Sequence, residues 1–221
     1  MIWRKYELLK RDYKKEIENS LKIVKEKVDE ALITKEYDEA LNLINRELRS
    51  IVGLDLTTVD TLSFDSVKGL LSRERQYNSE RYVALAEILR LRAILAENPD
   101  EEIYYNYKAL LAYIEGLEDD EFLEDCYKNN VHTIINSMRK YELSIEEDEA
   151  IFNVYEVMKE FDKAEDSLFE MIDKTNKDEE IINKGIEFYN RLLEIDEDIL
   201  EAGNLPIEEV KDSLKEIKNY L

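Results

Sequence analysis

Apolar residues recur along this chain at steps of three and four, the spacing that gathers them on one face of an α-helix. The first segment shows it best. Ile2, Tyr6, Leu9, Tyr13, Ile17, Leu21, Val24, Val28 and Leu32 draw one continuous stripe, so residues 1–33 are predicted to form a long N-terminal helix. A second helix is predicted from Tyr37-Asp38 to about Val52, with Gly53 as its stop. Leu54–Ser79 is less regular and rich in cap and turn formers, and reads as short helical turns with a second short helix around Asp65–Leu71. An apolar helix follows from Glu80 to about Ala96, then a break at Asn98-Pro99-Asp100 and a Tyr-rich helix from Glu101 to about Leu117. Asp119–Tyr141 reads as one further long helix. Ser144 and Glu147 have the spacing of a capping box for a helix from Ile145 to Lys159. Helices are expected again over Phe161–Lys174 and Asp178–Leu193. The last one starts after Gly203-Asn204-Leu205-Pro206, where Gly suits a C′ position and Pro a first turn.

Composition agrees with this pattern. Five glycines and two prolines in 221 residues leave a β-rich fold short of turn residues, since averages are roughly 7% and 5%. The fold class is therefore all-α. No linker is long or polar enough to force a split, so the expected organisation is a basic amphipathic helix, 1–33, followed by one acidic stack of antiparallel helical hairpins, 34–221. One echo supports stacking: Glu36-Tyr37-Asp38-Glu39-Ala40 returns as Glu160-Phe161-Asp162-Lys163-Ala164. Each copy continues with apolar residues four and eight positions past its alanine, at Ile44 and Leu48, then at Leu168 and Ile172. The small alanine lets two helices approach closely.

Ala40 and Ala164 resemble the small residue in the second helix of a tetratricopeptide repeat. The glycine usual five positions earlier is Lys35 in one copy and Lys159 in the other, and regular 34-residue spacing is absent, so the repeats are degenerate. A wider resemblance rests on an ordered set of segments: Tyr37-Asp38-Glu39-Ala40, Gly53-Leu54-Asp55-Leu56, Leu85-Ala86-Glu87-Ile88-Leu89, Lys108-Ala109-Leu110, Lys163-Ala164-Glu165-Asp166-Ser167-Leu168-Phe169 and Leu200-Glu201-Ala202-Gly203-Asn204-Leu205-Pro206. Together they resemble an uncharacterised family of helical, tetratricopeptide-like bacterial proteins, a domain of unknown function. The resemblance implies the fold and a bacterial cytoplasm, and it implies no activity.

Charge narrows the partners. The net charge of −22 repels nucleic acid and anionic lipid. Residues 1–27 nevertheless carry nine basic and five acidic side chains, a net +4, so the remainder is −26. A lone cysteine gives no internal disulfide, no signal peptide is recognisable, and no uncharged stretch is long enough to span a bilayer. A cytoplasmic location is expected.

Candidate chemistry is sparse. Cys126 and His132 are six residues apart, which on a helix turns them about 120° from each other. A buried thiol and a helix-surface imidazole are expected rather than a catalytic dyad. Ser137-Met138-Arg139-Lys140 matches Ser-x-x-Lys at the level of chance. Glu146–Glu149 reads as an acidic first turn favoured by the helix dipole. No catalytic residue, metal ligand or cofactor site is assigned. Tyr104, Tyr105, Tyr107 and Tyr113 either fill the core or line a concave surface that grips a peptide. The resulting expectation is an interaction or scaffold module, not an enzyme, with a protein or peptide partner. Its N-terminal helix docks through Trp3, Tyr6, Leu9 and Tyr13 onto its own stack or onto a second copy as a homodimer. An enzyme with a motif-free carboxylate site and a membrane-surface adaptor using the basic helix are the alternatives. The second ranks lower because the acidic body opposes approach to anionic lipid.

Overall fold

The computed structural model describes residues 2–72, 78–118 and 125–221, and the side chains of 13–72, 79–118 and 126–221. The chain is 81% helical, and no strand occurs among the described residues. No helix among them is long and apolar enough to cross a membrane. The helices are α1 (Ile2–Thr34), α2 (Tyr37–Glu47), α3 (Leu56–Thr61), α4 (Phe64–Leu71), α5 (Asn78–Ile94), α6 (Pro99–Leu117), α7 (Asp125–Met138), α8 (Ile145–Val157), α9 (Phe161–Lys174), α10 (Glu179–Leu192), α11 (Glu197–Ala202) and α12 (Ile207–Lys218). They gather into two compact units, 1–141 and 142–221. The turn between α1 and α2, the boundary expected after residue 33, lies inside the first unit.

In the first unit α1 and α2 run antiparallel. Tyr13 Oη donates to the Ile51 carbonyl at 2.7 Å and Lys27 pairs with Glu39 at 2.7 Å, so residues descend on one helix as they ascend on the other. Ile17, Val24, Val28 and Ala31 are buried on this face of α1. The stripe ends on Ala31, three past Val28, and the expected Leu32 is 37% exposed. After α2 the backbone widens into a π turn, Leu48–Val52, and Gly53 stops it at φ +81°. α5 is the central helix: eight of the nine residues from Val83 to Leu91 are buried, and it packs on α1, α2 and α6. The α5–α6 crossing is tight at Gly116, where a Cβ would stand 2.7 Å from Val83 Cγ2. The predicted helix at 119–141 is described only from Asp125, and its first six residues lie outside the described ones.

The second unit pairs α8 with α9, α9 with α10 and α10 with α12. The Ser144–Glu147 capping box forms as expected: Ser144 Oγ accepts from Glu147 N–H, and the Ser144 N–H donates to Glu147 Oε2 at 2.6 Å. Lys184 pairs with Glu149 and Arg191 forks onto Glu156; each pair joins residues 35 apart. A constant offset means that α8 and α10 run parallel, with the antiparallel α9 connecting them. Phe152 and Phe188 meet edge-on between them at 5.2 Å.

The echoed turns share one backbone. Lys35 and Lys159 both take positive φ, at 66° and 60°, and the following glutamates match at φ −93°, ψ 65° and φ −97°, ψ 70°. A lysine thus takes a left-handed conformation at both turns, and Ala40 and Ala164 are buried at the ensuing crossings. Two local expectations need correction. Gly203 sits at φ −87°, and Asn204, at φ 57°, is the left-handed residue; Gly203 instead makes room, because a Cβ there would lie 2.4 Å from the Phe161 ring. The short α11 has no counterpart among the predicted helices, since six residues are too few to show a period.

Candidate binding cleft

Residues 54–72 fold into two short helices, α3 and α4, that have little core of their own. Asp55 and Ser63 cap their N-termini, accepting from Thr58 N–H at 2.8 Å and Ser66 N–H at 3.3 Å. Their placement against α6 depends on three α6 side chains. Lys108 Nζ donates to the carbonyls of Val59 and Leu62, at the C-terminal end of α3, and to Tyr104 Oη at 2.6 Å. A cation belongs there, because the helix dipole leaves its negative end at that point. Tyr104 Oη donates to the Asp60 carbonyl at 3.1 Å, and Tyr105 Oη donates to Asp60 Oδ1 at 3.0 Å. Burial lowers the Lys108 pKa and raises those of Tyr104 and Tyr105. All three ammonium protons of Lys108 are engaged, so this group organises the site and offers no free amine.

Against this scaffold lies a cleft of about 540 Å³, within the range of small-ligand sites. Leu62 and Phe64 form one wall, and Tyr104, Tyr107 and Leu111 form the other. The latter three are spaced i, i+3 and i+7 on one face of α6. All five are half-buried, and Asp60 and Asp65, also lining the cleft, are exposed. With Lys108 buried and satisfied, carboxylates dominate the charge presented to a visitor. On the Tyr-rich helix Tyr105 and Tyr113 are in the core, while Tyr104 and Tyr107 line the cleft.

A second cleft of about 470 Å³ lies among α1, α5 and α7, lined by Lys22, Lys25, Arg90 and Asn130 among others. Beneath it Glu87 is buried and saturated: Tyr113 Oη and Asn130 Nδ2 donate to its Oε1, and Arg90 donates twice to its Oε2. Glu18 and Glu87 also line this cleft, so two carboxylates face its three cations.

The side chains of Trp3, Tyr6 and Leu9 lie outside the described residues, whereas Tyr13 spends its hydroxyl on Ile51. Cys126 is exposed rather than buried. The buried stripe of α7 is Tyr127, Val131, Ile134, Ile135 and Met138, and a neighbour of Tyr127 is rotated about 100° off it. His132 is half-buried. Ser137 Oγ donates to Glu102 and Lys140 is exposed, so the Ser-x-x-Lys residues do not form a site. Among the described residues no three of His, Cys, Asp and Glu gather in a metal-binding geometry.

These features define an all-α protein of packed helices with an aromatic, acid-lined cleft. The chain belongs to DUF6483, a family of unknown function, whose model matches residues 4–221. No curated protein and no solved structure matches it.

Proposed function

We propose that the protein is a cytoplasmic interaction module, a degenerate tetratricopeptide-like stack that takes a protein or peptide partner in the α3–α4/α6 cleft. The carrying observation is the cleft itself: half-buried aromatics on two walls, exposed Asp60 and Asp65, and a floor whose Lys108 cation is already satisfied. Such a surface suits an apolar or aromatic anchor next to a basic residue. Support for the stack comes from the parallel α8 and α10, offset by 35 residues, close to the roughly 34 of a tetratricopeptide unit. Matched left-handed lysines at the two echoed turns support it too. Stacks of this kind act through exposed curved surfaces.

A displayed random-peptide library selected on the intact protein tests the reading. We expect enrichment of sequences that place Lys or Arg beside Trp, Tyr, Phe or Leu, and loss of that enrichment on Tyr107→Ser/Leu111→Ser. Equal selection by both proteins would overturn the cleft as the binding site.

A further inference from the structure

The cleft has a candidate occupant in the same sequence. α1 is one unbroken helix from Ile2 to Thr34, but its hairpin partner ends early. The π turn after α2 finishes at Val52, level with Tyr13, where Tyr13 Oη meets the Ile51 carbonyl. Residues 2–12 therefore carry α1 about 17 Å beyond that level, at about 1.5 Å per residue. This extension repeats the chemistry that the cleft calls for. Its sequence puts Ile2, Trp3, Tyr6 and Leu9 at helical spacing, flanked by Arg4, Lys5, Lys10 and Arg11 against Glu7 and Asp12. The opposing wall, Tyr104 to Leu111, spans about 10 Å of helix, so three turns of α1 suffice to fill it.

We infer that the first three turns of α1 dock, as an amphipathic helix, in the α3–α4/α6 cleft of a second copy of this chain. The inference rests on the reading of that cleft as a peptide groove. Charge complementarity supports it: the basic flank of the helix meets Asp60 and Asp65, in a molecule whose net charge otherwise opposes self-association. A second copy supplies the helix because, within one chain, the cleft is lined by residues 60–65 and by α6, and by no residue of α1. Exchange between two copies is isologous, each giving its helix and receiving the other, so the contact is made twice.

Light scattering over a concentration series, on the intact chain, provides the test. Wild type is expected to be a dimer. Lys5→Glu and Asp65→Lys are each expected to raise the dissociation constant by roughly tenfold or more, with helix content by circular dichroism unchanged. The decisive sample is a 1:1 mixture of the two variants. In their heterodimer the carboxylate introduced at position 5 of one chain meets the ammonium introduced at position 65 of the other. The reciprocal contact is wild type, so dimerisation is expected to return. A monomeric wild type, a dimer indifferent to both reversals, or a mixture that stays monomeric would each overturn the inference. Binding to anionic vesicles that Lys5→Glu abolishes would overturn it too, assigning the basic turns to lipid. A monomer that still selects basic aromatic peptides would remove this occupant and leave the peptide groove standing.

Discussion

Tyr113 is fully buried in the first unit with its hydroxyl proton held against Glu87. Burial, reinforced by that carboxylate, lifts its pKa well above the ordinary value of 10.0. Burial does the same to Tyr105 and Tyr189. The sign follows from linkage. A group whose folded pKa is raised contributes stability that is complete below its unfolded pKa and is lost as pH rises through the folded one. Urea midpoints are therefore expected to fall as pH rises above about 10. In an alkaline titration followed by tyrosinate absorbance, these three should ionise only as helix is lost. A single reversible step for all 14 tyrosines, with the helix signal intact, would contradict this. Tyr113→Phe should cost about 1–3 kcal/mol by leaving Glu87 short of a donor. Lys108→Met is expected to cost a similar amount, since the Val59 and Leu62 carbonyls lose their partner. It should also weaken peptide capture, because α3 would lose its hold on α6.

The two echoed turns show how far the elements are legible in the sequence. Period, caps and the alanine echo point to the helices and to both hairpins, because each is a signal carried within about a dozen residues. Lys35 and Lys159 read in the sequence as departures from the tetratricopeptide pattern, and the structure gives both the same left-handed backbone. That conformation costs an L-residue roughly 1–2 kcal/mol, part of which glycine's greater chain entropy offsets. Lys35→Gly is accordingly expected to stabilise the protein by about 0.5–1 kcal/mol, read as a higher urea midpoint. Ala164→Leu is expected to cost about 1–3 kcal/mol, since the α8–α9 crossing has no room for the larger chain. An unchanged midpoint in either variant would count against the shared turn. The cleft is only half legible. Tyr104 and Tyr107 can be read as sharing a face, but Asp60, whose carbonyl Tyr104 meets, lies 44 residues earlier. Nothing local in an irregular stretch of Thr, Ser and Asp says which helix its carbonyls will meet. Exposure of Cys126 escapes the sequence for a related reason: one residue of phase on α7 separates core from solvent.

At the scale of the whole molecule, charge is distributed in a way that no single contact reveals. Residues 142–221 hold 25 acidic and 9 basic side chains, a net −16, while residues 1–141 hold 28 and 22, a net −6. Local pairs such as Lys174–Asp148, Lys184–Glu149 and Arg191–Glu156 offset part of this in the second unit. Pairs this exposed contribute only about 0–1 kcal/mol each. Self-repulsion among the excess carboxylates acts over the whole unit and opposes compaction. Salt screens both effects, and because the pairs contribute so little, repulsion decides the sign. With a Debye length near 30 Å at about 0.01 M and about 8 Å at about 0.15 M, adding salt over that range should raise the unfolding midpoint. The dimer proposed above responds to salt on its own terms, because screening weakens its basic-to-acidic contact and also the repulsion between two chains of net −22. Unfolding should therefore be measured at a concentration where light scattering shows monomer, and the dissociation constant followed separately across the same salt series. A midpoint that falls with salt in the monomer would mean that the ion pairs, rather than the net charge, govern the stability of this acidic chain.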